Sequence, residues 1–132
     1  MLVHTNVLSE LPRRRPNANV VAWLAAQETI HLSVVTLEEL TFGIARAVPA
    51  ARARLARWLD ALVDARPVLL DVTTAIARAS GELRAAREGR GRRVAQADML
   101  IAATALAHGL TLATRNGRDF EGCGVVLVDP FL

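Results

Sequence analysis

Acidic side chains at three separated places in the chain are candidates for metal-dependent chemistry. They are Glu39, Asp98 and Asp119. Carboxylates that are gathered in one cleft repel each other, and this repulsion is costly unless a divalent cation neutralises it. Mg²⁺ or Mn²⁺, held by a few carboxylates and by water, is the natural occupant of such a cleft. If the fold brings these acids together, the sequence predicts a Mg²⁺ or Mn²⁺ site.

These acids and several uncharged polar residues share a position relative to the predicted strands. The carboxyl ends of parallel strands lie along one edge of a sheet, where ligands collect. The residues expected at this edge are His4, Thr5 and Asn6 after the first strand, Glu39 in the first turn of the helix after the second strand, Asp98 at the start of a buried helix, and Asn116 and Asp119 after the fourth strand. We therefore expect these side chains to converge.

Each of these residues also has a simpler, structural explanation. Thr36 and Glu39 match the T-x-x-E capping box of a helix start. An acid such as Asp98 in a first turn complements the helix dipole, and an Asn-Gly pair before Asp119 is common turn chemistry. The joint placement of the residues, rather than any one of them, indicates a site.

Short strand-like runs alternate with longer helical patterns along the chain. The runs are LVH, IHLSVV, VLLDV, TLATR and VVLV. Strands that alternate with helices in this way predict right-handed crossovers and a parallel sheet covered on both faces. The segment AQADMLIAATALAHG is apolar on nearly every side, so it should be a buried helix that ends at Gly109. The predicted fold class is α/β.

Helical spacing also predicts which side chains of the other helices face inward. The predicted inward-facing sets are Val20, Trp23, Leu24 and Gln27; Leu37, Leu40 and Ile44; Leu55, Trp58, Leu59, Leu62 and Val63; and Ile76, Ala79 and Leu83. Pro49 suits the first position of the third of these helices.

Length and composition favour one packed domain. The hydrophobic fraction is 52% against 22% charged residues, which is typical of a globule rather than of a disordered chain. The longest apolar stretches fall well short of the ~20 residues that a membrane span requires. No basic segment followed by an apolar run begins the chain, so no signal peptide is predicted. We expect a soluble cytoplasmic protein without a membrane partner.

The residue types present disfavour several other classes of site. Cys123 is the only cysteine and the three histidines are scattered, so neither an internal disulfide nor a cysteine/histidine zinc site is expected. The G-x-G-x-x-G and P-loop motifs are absent. A phosphorelay receiver would need a lysine, and this chain has none.

The basic residues point to an anionic partner. All sixteen are arginine, and the formal net charge is +3. The planar guanidinium bonds two oxygens at once, which suits phosphates and carboxylates. The partner is therefore a nucleic acid or an acidic protein segment, unless the arginines only form a solvated surface. With no tyrosine and 4% aromatic residues, stacking on single-stranded bases is not favoured.

Four ordered motifs run from end to end of the chain: HTNVLSEL, LSVVTLEELTFGI, QADMLIAATALAHGLTLATRNGRDFEGCGV and a closing VDPF. Through this ordered set the whole chain resembles the PIN-domain ribonucleases, in particular the VapC-type and FitB-like toxins of bacterial toxin–antitoxin pairs. In that family an aspartate precedes Thr-Asn, a glutamate precedes Leu, an aspartate opens the buried helix, and Thr-Arg-Asn leads to Asp-Phe. The matching positions here are His4, Glu39, Asp98, and Thr114, Arg115 and Asn116 leading to Asp119 and Phe120.

The resemblance implies a fold and an activity. The fold is an α/β/α sandwich around a mainly parallel five-stranded sheet, formed by residues 1–132 as a single PIN domain. The activity is metal-dependent cleavage of RNA, in which Mg²⁺ or Mn²⁺ orients a water and stabilises charge on the attacking and leaving oxygens. Asp98 would be a direct metal ligand, and Asp119 and Glu39 would be ligands or acids that support the ligands. The residues that would orient the cluster are Thr5, Asn6, Thr114 and Asn116.

The resemblance also implies partners. A small VapB-like antitoxin would wrap the toxin and block the acidic cleft, and the substrate would be RNA. Arginines at the rim would hold phosphates, with Arg13–Arg15 and the loop of Arg90, Arg92 and Arg93 as candidates; a solvated surface is the alternative. Because such toxins commonly dimerise, a homodimer or a toxin–antitoxin hetero-oligomer is expected. Trp23 or Phe42 would contact the partner or belong to the core.

His4 departs from the family pattern, since it stands where the family has its first aspartate. Mg²⁺ prefers oxygen ligands, so a metal site that includes His4 should bind Mg²⁺ weakly, whereas Mn²⁺ or Zn²⁺ tolerates nitrogen better. A protonated His4 would instead pair with Glu39 or Asp98 and partly replace the cation. A third interpretation is a histidine that is satisfied by hydrogen bonds and never meets a metal.

These properties of His4 lead to a hypothesis and an alternative. The hypothesis is a disabled form of an active toxin, weakened because His4 replaces a metal-binding aspartate. The alternative is a catalytically inactive PIN-like binding module that retains its antitoxin or RNA partner.

Overall fold

Five parallel strands form one sheet in the middle of the molecule. The structure, a computed structural model, describes residues 1–132. The strands are β1 (Leu2–Val3), β2 (His31–Ser33), β3 (Val68–Leu70), β4 (Leu112–Ala113) and β5 (Leu127–Val128), in the order β3-β2-β1-β4-β5 across the sheet. Every neighbouring pair is parallel. The predicted parallel sheet of five strands is confirmed, and β1 is its central strand.

Six helices and a short 3₁₀ turn connect the strands. They are α1 (Thr5–Leu8), α2 (Ala18–Ala25), α3 (Val34–Ala45), α4 (Pro49–Asp64), α5 (Thr74–Gly89), α6 (Gln96–His108) and the 3₁₀ turn Gly117–Phe120. Side-chain oxygens of Asn17, Ser33 and Thr73 cap the first turns of α2, α3 and α5, which satisfies backbone N–H groups that have no partner within the helix. No helix is long and apolar enough to cross a membrane.

The two faces of the sheet each carry a separate hydrophobic core. Leu2 and Val3 are adjacent in β1 but belong to different cores, because successive side chains of a strand point to opposite faces. The first core contains buried residues of α6 such as Met99, and the second contains residues of α1 to α3 such as Leu40. The predicted covering of both faces is therefore confirmed.

Helix α6 matches its prediction closely. Its buried residues include Met99, Ile101 and the run 102–105, so apolar side chains face the core on nearly every side. The helix ends at Gly109, whose backbone is left-handed with φ of 62°. Glycine adopts this conformation without the steric cost that a side chain would add.

The start of α3 differs from its prediction. The run IHLSVV was predicted to be a strand through Val35, but β2 ends at Ser33 and α3 begins at Val34. The Ser33 hydroxyl accepts a hydrogen bond from the Val35 backbone N–H at 3.1 Å. Thr36 and Glu39 are therefore not a capping box, and Glu39 lies in the second turn of α3 rather than in the first. The predicted end of the strand and the predicted position of Glu39 in the first turn were both wrong. The β-branched residues indicated a longer strand than the Ser33 cap allows.

The predicted inward-facing sets are reproduced for most residues. Trp23, Trp58, Leu59 and Leu62 pack half-buried against the second core, whereas Val63 is exposed and Gln27 lies beyond the end of α2. Phe42 is 57% exposed, and the Arg46 guanidinium lies 5.5 Å from the centre of its ring. Of the two residues proposed for a partner contact, Phe42 is therefore at the surface and Trp23 contributes to the core.

Candidate functional site

His4 occupies the carboxyl end of the central strand, where the sheet topology brings several loops together. The residue is only 5% exposed, and both of its ring nitrogens have partners. Nδ1 lies 2.8 Å from Oγ1 of Thr114, and Nε2 lies 3.1 Å from Oδ1 of Asp98. The ring of Phe120 stands perpendicular to the imidazole at a centroid distance of 5.3 Å. His4 is thus fixed by contacts with three other parts of the chain.

The hydrogen bonds around Thr114 indicate which ring nitrogen of His4 carries a hydrogen. The Thr114 hydroxyl oxygen accepts from Nδ2 of Asn6 at 3.3 Å and from the backbone N–H of Asn116 at 3.1 Å. A hydroxyl has two acceptor positions and one proton, so the Thr114 proton is donated to Nδ1 of His4. The Nδ1 atom must then be unprotonated, and Nε2–H donates to Asp98. The network suits an imidazole whose Nε2–H pairs with Asp98 and not with Glu39.

Asn6 joins the ends of the two central strands. Its Nδ2 group donates to Thr114, and its Oδ1 atom accepts from the backbone N–H of Arg115 at 3.2 Å. The bond with Arg115 settles which end of the amide is oxygen, because a backbone N–H can only donate; Nδ2 is then left to donate to Thr114. Arg115 itself turns outward, and its guanidinium lies 4.7 Å from the centre of the Phe131 ring.

Glu39 contacts Thr5, the residue that follows His4 in the chain. The Thr5 hydroxyl donates to Oε1 of Glu39 at 2.6 Å, a short distance that is typical of a hydroxyl bonded to a carboxylate. The two side chains line a cavity of about 260 Å³ whose other walls are mostly apolar. Gly43, also on its wall, leaves the space beside Glu39 open, since a Cβ atom there would meet nothing within 4 Å.

Asp98 and Asp119 line a different cavity, of about 160 Å³. Asp98 is in the first turn of α6 and its side chain is 17% exposed, whereas Asp119 is in the 3₁₀ turn after β4 and is exposed. The sheet topology therefore brings these two acids together, as the sequence predicts. Three arginines also line this cavity: Arg87, Arg92 and Arg93.

The arrangement does not form a complete metal centre. No three histidine, cysteine, aspartate or glutamate side chains lie close enough together to hold a metal ion. Glu39 is outside the cavity of Asp98 and Asp119. One Asp98 oxygen already accepts a hydrogen bond from the His4 N–H. The structure therefore differs from the expectation that all three acids share one pocket, and the residues as they stand do not fit a divalent cation.

Arg87 is the site residue that the sequence analysis missed. It is 5% exposed, its Nη1 lies 3.4 Å from Sγ of Cys123, and its Nε and Nη2 atoms are buried without a hydrogen-bond partner. A signal was present, because Ile76, Ser80, Leu83 and Arg87 follow the helical spacing that marks the inward face of α5. An arginine at a core position of this pattern is unusual and indicates a function.

The other arginines divide between the cavity and the surface. Arg92 donates to the backbone oxygen of Arg118 at 3.1 Å and lies 3.6 Å from Glu121, so it is tied to the 3₁₀ turn. Arg90, which was predicted with Arg92 and Arg93, is not on the cavity wall. The triplet Arg13–Arg15 is exposed and away from the cavity, with Arg13 paired to Glu10 at 3.4 Å.

Comparison with protein families decides how this edge of the sheet is interpreted. The PIN domain family matches residues 1–123, which include every site residue described above. The chain belongs to the PIN-domain family. Strands β1 to β4 and the polar residues along the edge of the sheet therefore lie within a PIN domain.

Curated relatives match this PIN domain over nearly its whole length. The plasmid stability protein StbB of Pseudomonas syringae pv. tomato is 39% identical, covering 99% of this chain and 98% of its own. The VapC ribonuclease Y4jK of Sinorhizobium fredii is 36% identical, covering 99% and 97%. The toxin FitB of Neisseria gonorrhoeae is 34% identical, covering 99% and 98%. The predicted homology to VapC and FitB toxins is thus confirmed.

Solved structures of toxin–antitoxin assemblies share the fold. The crystal structure of FitAcB from Neisseria gonorrhoeae superposes with a TM-score of 0.84 at 34% identity, covering 98% of this chain and 97% of that one. A toxin–antitoxin complex from Klebsiella pneumoniae gives a TM-score of 0.73 at 26% identity, covering 98% and 96%. The PIN-like α/β fold is therefore confirmed.

Proposed function

We propose that this PIN domain is the toxin of a type II toxin–antitoxin pair and that His4 weakens or abolishes its ribonuclease activity. The names of the relatives support the first part, since they include a VapC ribonuclease and a toxin. On this proposal residues 1–132 form a single cytoplasmic domain. Its substrate is an RNA phosphodiester, and its partner is a VapB-like antitoxin. A homodimer or a toxin–antitoxin hetero-oligomer is the expected assembly, with the exposed Phe42 as a candidate contact.

The hydrogen bond from His4 to Asp98 carries the second part of the proposal. VapC ribonucleases of the PIN family are generally dependent on a divalent metal. Where the family pattern has a carboxylate, this chain presents an imidazole N–H to Asp98 at 3.1 Å. The His4 N–H occupies one Asp98 oxygen, and an imidazole at position 4 supplies none of the negative charge that an aspartate there would offer a cation. We propose Mg²⁺, or Mn²⁺ with its better tolerance of nitrogen, as the metal of an aspartate-containing form and weak binding of either ion by this chain.

The remaining site residues have positioning or ligand-binding roles in this proposal. Thr114, Asn6 and Asn116 hold the imidazole of His4 through hydrogen bonds. Thr5 orients the Glu39 carboxylate. Asp119 is the carboxylate of the cavity that is exposed and free of a partner, which suits it to meet a ligand directly.

A catalytically inactive PIN-like binding module is the second candidate. The absence of any three-ligand cluster favours it, because a chain that has lost the chemistry would still keep the fold, the arginines and the partner surface. The two candidates differ in one respect only: whether replacing His4 restores activity.

Comparison of this chain with His4→Asp tests the proposal. RNA cleavage is measured in Mg²⁺ and in Mn²⁺, and metal affinity is measured by calorimetry. We expect His4→Asp to cleave RNA and to bind Mg²⁺ more tightly, because two facing carboxylates require a cation. His4→Asn is the matched control, since it removes the imidazole without adding charge, and it should remain inactive.

Two outcomes would decide against the proposal. Equal cleavage by this chain and by His4→Asp would show that His4 is not disabling. Inactivity of both proteins, with binding to antitoxin or RNA retained, would favour the binding module.

A further inference from the structure

The cavity next to Asp98 has the electrostatics of an anion site. Its three guanidinium groups and two carboxylates leave one net positive charge on the wall. One oxygen of Asp98 is already occupied by the N–H of His4. The loop that carries Arg92 is held in place by its hydrogen bond to the backbone of Arg118. An anion that entered this space would lie beside three arginines.

Arg87 is the group on this wall that lacks acceptors. Its Nε and Nη2 atoms are buried without a partner, and its one hydrogen bond, from Nη1, is to the Cys123 sulfur, a weak acceptor. Arg87 forms none of the ion pairs of the structure. A guanidinium does not lose its proton in proteins, and a buried charge without a partner is unfavourable. Arg87 lines the cavity, so an anion held there would lie beside this unpaired charge and stabilise it.

The geometry points to Arg87 as a binding group for a phosphate of the RNA backbone, in a cavity completed by Arg92 and Arg93. The guanidinium fork matches two phosphate oxygens, and the cavity shares Asp98 with the His4 network. A phosphate held here would place the RNA strand next to that network. This inference rests on the proposed function, because RNA is the ligand that supplies the phosphate.

The test measures binding of a short single-stranded RNA by the full chain in the presence of a metal chelator, so that binding is separated from cleavage. Arg87→Met should weaken binding roughly 10- to 100-fold, as loss of a charged hydrogen-bonding partner does. The slope of log affinity against log salt should fall by about 0.7, the value for one phosphate contact on a single strand. The matched control is Arg84→Met, which removes an exposed arginine of the same helix that pairs with Glu88 at 3.5 Å. It should leave both quantities nearly unchanged.

A measurement on the unaltered chain makes the test independent of how the variant folds. The NMR signal of the Arg87 Nε–H group, assigned by its loss in Arg87→Lys, should shift when inorganic phosphate is added. The signal of Arg84 should not shift. An unmoved Arg87 signal together with an unchanged RNA affinity of Arg87→Met would overturn the inference.

Two further outcomes separate this inference from related ones. If Arg87→Met lost binding to the antitoxin and kept binding to RNA, the cavity would take an acidic protein group and the RNA assignment would be overturned. If no variant, including His4→Asp, cleaved RNA while Arg87→Met still lost RNA affinity, the phosphate site would stand and the ribonuclease proposal would fail.

Discussion

His4 and Asp98 are separated by 94 positions in the chain, yet the imidazole of one donates to the carboxylate of the other at 3.1 Å. The hydrogen bonds of Thr114 fit an imidazole whose Nδ1 accepts and whose Nε2–H donates. We expect ¹⁵N NMR at neutral pH to show an unprotonated Nδ1 for His4. The exposed His108, whose ring makes no hydrogen bond in the structure, provides the reference signal. Two N–H groups on His4 would contradict the network.

Thr114→Val should destabilise the protein. The hydroxyl of Thr114 forms hydrogen bonds with His4, Asn6 and the Asn116 backbone. Its removal leaves buried polar groups without partners. The expected loss is about 1–3 kcal/mol in the free energy of unfolding, measured by urea denaturation.

The matched control for Thr114→Val is Thr111→Val, at the other end of β4. The Thr111 side chain makes no hydrogen bond in the structure, although its backbone oxygen accepts from Leu2. This variant should stay within about 0.5 kcal/mol of the original chain, as is usual away from such networks. A loss equal to that of Thr114→Val would show that the hydroxyl network contributes nothing specific.

Thr73→Ala should weaken the helix that carries Arg87. The Thr73 hydroxyl accepts from the Ile76 backbone N–H at 3.1 Å, and loss of such a cap costs about 1 kcal/mol. Thermal unfolding of Thr73→Ala, Thr73→Ser and Thr74→Ala provides the measurement. Thr73→Ser retains the cap and Thr74→Ala does not touch it, so both should unfold near the temperature of the original chain. A lowered melting temperature in all three would contradict a capping role.

Two glycine substitutions should have opposite signs. Gly81 is within α5 and Gly109 ends α6 with φ of 62°, and a Cβ atom at either position would meet nothing within 4 Å. Gly81→Ala should stabilise by about 1 kcal/mol, the helix-propensity difference. Gly109→Ala should destabilise by about 1–2 kcal/mol because of its left-handed backbone. Chemical denaturation measures both, and changes of the same sign would disprove this assignment of cause.

The parts of the fold that depend on local patterns were predictable from the sequence. The apolar run of α6, its glycine stop and the alternation of strands with helices are each visible within a window of a few residues. The Val34–Val35 pair misled the prediction, because the β propensity of those residues favoured a strand and the capping hydroxyl of Ser33 favoured a helix. In the folded protein the Ser33 cap prevails, and Val34 and Val35 are helical.

The site depends on contacts that no local pattern contains. The sequence placed His4, Asp98, Thr114 and Asp119 at one edge, and the structure brings these residues together. It could not show that Thr5 turns Glu39 toward a separate cavity, since that depends on how α3 packs against α1. Arg87 was missed because arginine is usually a surface residue, even though its helical position faced the core.

The central position of β1 has a consequence for synthesis on the ribosome. This strand is made first, but its partner β4 and the hydroxyl of Thr114 are among the last parts of the chain to emerge. Pairings between such distant segments form late, because the intervening chain must first be closed into a loop. A nascent chain therefore lacks the assembled cluster of His4, Asp98 and Thr114 until translation is nearly finished.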